Sequence, residues 1–92
     1  MIKIADVLVE DIPVRICDNF ITRLIGMLPG DKAIRLKKCN SIHTFWTQGM
    51  IDVYFFNKNG ELIATFPLVG KDTIIYVKGA SEVLEIRVCN CQ

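Results

Sequence analysis

Runs of like charge are missing from this chain. Its 11 Lys and Arg against 10 Asp and Glu leave a formal net charge of +1, and Lys37-Lys38 is the one adjacent pair of cations. Nucleic-acid surfaces need clustered positive charge, so that class of partner is excluded, and a membrane-surface helix would need a polybasic face that is equally absent. Long hydrophobic runs are missing too. The longest uncharged stretch, Cys39 to Ile51, is interrupted by Asn40, Ser41, His43, Thr44, Thr47 and Gln48, too short and too polar to cross a bilayer. The start, Met1-Ile2-Lys3-Ile4-Ala5-Asp6, lacks the basic flank and apolar core of an export signal, which points to the cytoplasm. In that compartment Cys17, Cys39, Cys89 and Cys91 are expected as thiols and not as a disulfide framework.

What is present is apolar. The 92 residues suit one domain, residues 1–92, and 51% of them belong to the hydrophobic set. A chain of this size buries roughly 60–65% of its unfolded surface, enough for one core without a metal or disulfide staple. No cofactor is called for, and the oligomeric state is left open.

The pattern is one of short strands divided by turns. Strands are expected over Lys3–Glu10, Val14–Cys17, Ala33–Lys37, Ile51–Phe56, Glu61–Pro67, Thr73–Val77 and Glu82–Cys89. One short helix is expected over residues 18–28. Asp18 is its N-cap, Phe20, Ile21, Leu24, Ile25 and Leu28 form one apolar arc, and Leu28-Pro29-Gly30 ends it. Asn59-Gly60 predicts a type I′ hairpin turn with Lys58 opposite Glu61. That register places Val53, Phe55, Leu62, Ala64 and Phe66 on one face and Asp52, Tyr54, Phe56, Ile63 and Thr65 on the other. In the last strand, strict alternation puts Leu84, Ile86 and Val88 inward, with Glu85 and Arg87 opposite. The fold class is mainly β: a sandwich or small barrel with one short helix.

Three stretches occur in a telling order: Arg23-Leu24-Ile25-Gly26-Met27-Leu28, then Cys39-Asn40-Ser41-Ile42-His43-Thr44-Phe45-Trp46 running into Ile51-Asp52-Val53-Tyr54-Phe55, then Val83-Leu84-Glu85-Ile86. Together they resemble the domain of unknown function 192 family of prokaryotes, as a short, divergent member, over about residues 17–86. The resemblance implies a jelly-roll-like β-sandwich with a short helix, and no activity. Thr47 stands where the family usually has Met, Val69-Gly70-Lys71-Asp72 where it tends to have a Pro-x-Arg element, and Arg87 to Gln92 where it has a small, Gly-containing ending.

The chemistry-bearing candidates are Arg23, Ser41, His43, Thr44, Trp46 and Asp52. A His beside an Asp can act as a base with its orienter, and an Arg can clamp an anion through two parallel hydrogen bonds. The structural alternative is that Asp52 satisfies backbone amides, His43 is a satisfied interior residue and Arg23 pairs with Asp52. Ser41, Thr44 or Cys39 beside His43 would suit nucleophilic catalysis, and Cys39 and Ser41 would share the face of His43 on a strand. Cys89-Asn90-Cys91 with Cys39 and His43 makes a poor match to zinc spacing. Trp46 and Phe45 suit either a core or a ligand pocket. The expectation is a binding or accessory domain with a polar pocket near His43 and Asp52, for a small molecule or a protein partner. A small hydrolase using His43 and a thiol or metal protein using Cys89 and Cys91 are the alternatives.

Overall fold

The computed structural model describes residues 3–4, 7–8, 14–19, 31–45 and 49–89. Among them the chain is strand and turn, with no helix. The helix expected over residues 18–28 falls, beyond Asn19, outside the described residues, as do Arg23 and Trp46. The strands are β1 (Lys3–Ile4), β2 (Val7–Leu8), β3 (Val14–Cys17), β4 (Ala33–Lys37), β5 (Ser41–His43), β6 (Met50–Phe56), β7 (Leu62–Val69), β8 (Ile74–Tyr76) and β9 (Glu82–Cys89). The expected first strand is thus two short ones, β1 and β2, paired antiparallel.

Five strands form one open sheet in the order β3-β4-β9-β6-β7, and β5 pairs with β8 in a second. The sheet ends in two different edge strands, β3 and β7, so it does not close into a small barrel. Pro67 sits on edge strand β7, where a missing backbone donor is tolerated. β3 and β4 run parallel, and every other pairing is antiparallel.

Residues opposite one another across a ladder share a face. One face of the large sheet therefore carries Cys17, Ile34, Leu36, Val83, Val53, Phe55 and Phe66. Ile42 of β5 and Ile75 of β8 pack on that face and close the main core. Phe55, Ile34 and Ile51 are among its fully buried side chains, each contributing about 1.5–3 kcal/mol by leaving water. On the reverse face Leu84 is buried among Val14, Tyr54, Phe56 and Ile86.

The hairpin between β6 and β7 differs from the type I′ expectation. Gly60 N–H donates to the Asn57 carbonyl (3.0 Å) and Asn57 N–H to that of Glu61 (2.9 Å), so Lys58 and Asn59 occupy the centre of the turn. Gly60 follows with φ of 83°, the left-handed region a glycine enters without penalty. Asn57 is the cause. Its Oδ1 accepts from the N–H groups of Asn59 and Glu61, both at 2.9 Å, and its Nδ2 donates to Glu61 Oε1, so Glu61 bonds Asn57. The displaced turn shifts the register. Phe55 faces Ala64 but Phe56 faces Leu62, which moves Leu62 to the face of Phe56.

β9 also differs from the expectation. Its inward parity is that of Val83 and Glu85, not of Leu84 and Val88. Glu85 faces Ile34 on β4 and Val53 on β6, and it is 2% exposed. β9 lies mid-sheet with a core on one face and an apolar cluster on the other, so alternation alone named the wrong side.

Candidate functional site

The site grows from the place where β5 leaves the main core. Ile42 points into that core, which leaves Ser41 and His43 on the other face of β5, opposite Tyr76 and Ile74 of β8. The two residues share a face, as their spacing predicts. A cavity of about 180 Å³ opens here, lined by Leu36, Ser41, Ile42, His43, Phe45, Ile74 and Glu85. An apolar cavity of ~150 Å³ holds one benzene-sized molecule, so this one accepts a ring of about six heavy atoms. Ile74 and Tyr76 of β8 are 68% and 63% exposed, which gives that strand an apolar outer face.

His43 is half-buried. Its ring stacks on Phe45 with centroids 5.0 Å apart, and its Nδ1 accepts a long bond from the Phe45 N–H at 3.5 Å. Ser41 is exposed, and its carbonyl accepts from the Cys39 thiol at 2.9 Å.

Glu85 is the residue that sequence reasoning missed. Its carboxyl belongs to the cavity wall and, among the described residues, takes part in no hydrogen bond or ion pair; no side-chain oxygen among them is both buried and unsatisfied, so the carboxyl oxygens are reached from the cavity. Burial without a partner disfavours the charged form and pushes the carboxyl up to about 8. Near neutrality the cavity is therefore lined by an uncharged acid, able to donate one hydrogen bond and accept others. A signal for this was present: Glu85 shares parity with Val83 inside Val83-Leu84-Glu85-Ile86, a stretch apolar on both sides.

The nearby cations are directed elsewhere. Arg15 holds Asp31 through Nη2 to Oδ2 at 2.8 Å and Nε to Oδ1 at 3.2 Å, and its Nη1 reaches the Cys17 sulfur at 3.5 Å. Arg87 Nε donates to the Asp31 carbonyl at 2.8 Å. Cys17 is buried, and burial pushes its thiol up despite the counteracting Arg15, which makes it an inert core thiol and not a nucleophile.

Thr44 and Asp52 are placed outside the cavity. Thr44 is fully buried; its hydroxyl donates to the Gly70 carbonyl (2.7 Å) and accepts from the Thr73 N–H (2.9 Å). Thr44 N–H also donates to the Thr73 carbonyl at 2.9 Å. The residue thus pins the end of β5 to the loop before β8. Asp52 lies on the face of β6 opposite to Val53. Its Oδ1 accepts from the Leu68 N–H at 2.9 Å and its Oδ2 from the Tyr54 hydroxyl at 3.4 Å. Leu68 has φ of 53°, and two steps along β6, Ile51 to Val53, span three along β7, Val69 to Phe66. Asp52 thus staples a bulge in an edge strand. Burial and the Asp52 charge raise the Tyr54 phenol.

Among the described residues no group of three His, Cys, Asp or Glu side chains converges to hold a metal, and no helix is long and apolar enough to cross a membrane. No family model, curated protein or solved structure matches this chain.

Proposed function

We propose that this domain binds a small molecule in the cavity beside β5 and performs no catalysis there. The observation that carries this reading is the Glu85 carboxyl, set in the cavity wall with no hydrogen-bond or ion-pair partner among the described residues. A ligand that hydrogen-bonds this carboxyl gains a contact that the described residues do not supply. Ser41 and His43 contribute polar contacts at the same cavity, and Leu36, Ile42, Phe45 and Ile74 an apolar body, the composition usual for ligand sites.

The reading extends to the family resemblance, with its jelly-roll-like sandwich and a short helix over residues 18–28. Support comes from the parallel pairing of β3 and β4, which requires a crossover of a dozen or more residues. Residues 18–32 form that connection, the span over which the sequence predicts the helix.

His43 is the one histidine of the chain, so its ring-proton signals report on the cavity directly. A screen of six-membered-ring fragments should find members that shift those signals and raise Tm. A screen in which no fragment moves the His43 resonances would defeat the reading.

A further inference from the structure

We propose that the ligand of this cavity is a small cationic amine with an apolar body, its ammonium paired with the Glu85 carboxylate. This rests on the binding reading above and deepens it by naming the ligand's chemical class.

Charge decides the class. Among the described residues that line the cavity, His43 and Glu85 are the titratable ones, and no Lys or Arg is present. An anionic ligand finds no Lys or Arg counter-charge among these described residues. The groups facing Glu85 are few. Across β4 and β6 stand Ile34 and Val53, and beyond β4 in the same row stands Arg15, held by Asp31. From β3 comes the Cys17 thiol, in electrostatic reach of Glu85; on β9 itself Arg87 bonds the Asp31 carbonyl; across the cavity stands His43. None of these described groups forms an ion pair with Glu85, so a cation that enters the cavity meets a carboxyl that they leave unpaired. Phe45 also lines the cavity, and an aromatic face attracts a cation.

The proton balance follows. Unliganded Glu85 holds a proton up to about pH 8. The amine arrives already protonated, the Glu85 O–H proton leaves to solvent, and the carboxylate pairs with the ammonium. One proton is released per amine bound below that pH, and none well above it. Between about pH 7 and about pH 9 the ionised fraction of Glu85 rises about ten-fold, and amine affinity rises with it.

The test uses two rings of equal size. Piperidine is a cation over this whole pH range, and tetrahydropyran is its neutral ether counterpart. Calorimetric titration of each into the full chain at about pH 7 and about pH 9, with His43 ring signals as the cavity reporter, separates the possibilities. The expected result is piperidine binding that tightens about ten-fold with pH and releases a proton at the lower one, with loss of at least ten-fold in Glu85→Gln at about pH 9. Tetrahydropyran, accepting a bond from the protonated acid, should bind with the opposite pH trend. Piperidine binding without pH dependence overturns the pairing with Glu85, even if Glu85→Gln fails to fold. Tetrahydropyran binding with no piperidine binding overturns the amine class while the cavity remains a ligand site. Silence of the His43 signals toward both rings overturns both readings.

Discussion

Replacing Glu85 by Gln should make the protein's stability depend less on pH, and the size of the change can be worked out. In the unfolded chain the carboxyl titrates near 4.5, and in the folded protein near 8. Between those values the folded state binds one more proton than the unfolded state. Stability therefore falls as pH rises, by about 1.36 kcal/mol per pH unit, and is flat below the first value and above the second. Over that interval the loss is about 4–5 kcal/mol, a large part of the ~5–14 kcal/mol expected for a domain of this length. Glu85→Gln keeps the shape and cannot ionise, so this loss disappears. Urea denaturation of both proteins from about pH 5 to about pH 9 gives the difference directly. Near pH 5 the two should be close, and by about pH 8 the variant should be the more stable by several kcal/mol. A difference that stays constant with pH, or a wild type that gains on the variant as pH rises, would refute the buried, unpartnered carboxyl.

Four further outcomes follow from the geometry. Thr44→Val keeps the volume and removes both hydroxyl bonds, to Gly70 and Thr73. Leaving those buried groups unpaired should cost about 1–3 kcal/mol in chemical denaturation, with no change in the pH dependence set by Glu85. Asp52→Ala should cost about 1–2 kcal/mol by freeing the Leu68 amide, whereas Leu68→Gly, at φ of 53°, should be neutral to about 1 kcal/mol stabilising. Asn57→Ala removes the bonds to Asn59 and Glu61 that set the hairpin; it should lower stability by about 1–3 kcal/mol and increase amide exchange at the tip.

Much of this architecture is legible in the residues. β3, β4 and β9 fall where the periodicity places them, and β6 to β8 start or end within two residues of expectation, because alternating β-branched and aromatic residues between turn formers leave few alternatives. The hairpin tip is less legible. Asn-Gly favours one turn by itself, but the Asn57 side chain bonds two amides ahead of it and selects another, shifting the register by one residue. The site is legible in half. Ser41 and His43 share a wall because two-residue spacing on a strand leaves no choice. That Asp52 lies on the far face of β6, and that Glu85 points into the core, depends on which face of the sheet β5 and β8 cover. That choice is made by contacts distant in sequence, and a strand flanked by apolar residues on both sides does not announce it.

The protonation state of Glu85 decides what the cavity can bind, and carbon NMR reads it without a ligand or a mutation. With glutamate side-chain carboxyl carbons labelled, the Glu85 signal is followed from about pH 3 to about pH 10. One glutamate resonance should stay in its protonated position through neutrality and move with a midpoint near 8, and it should be absent in Glu85→Gln. A Glu85 resonance that titrates near 4.5 would mean the carboxyl is solvated or paired, and the cavity would lose the group that makes it a binding site.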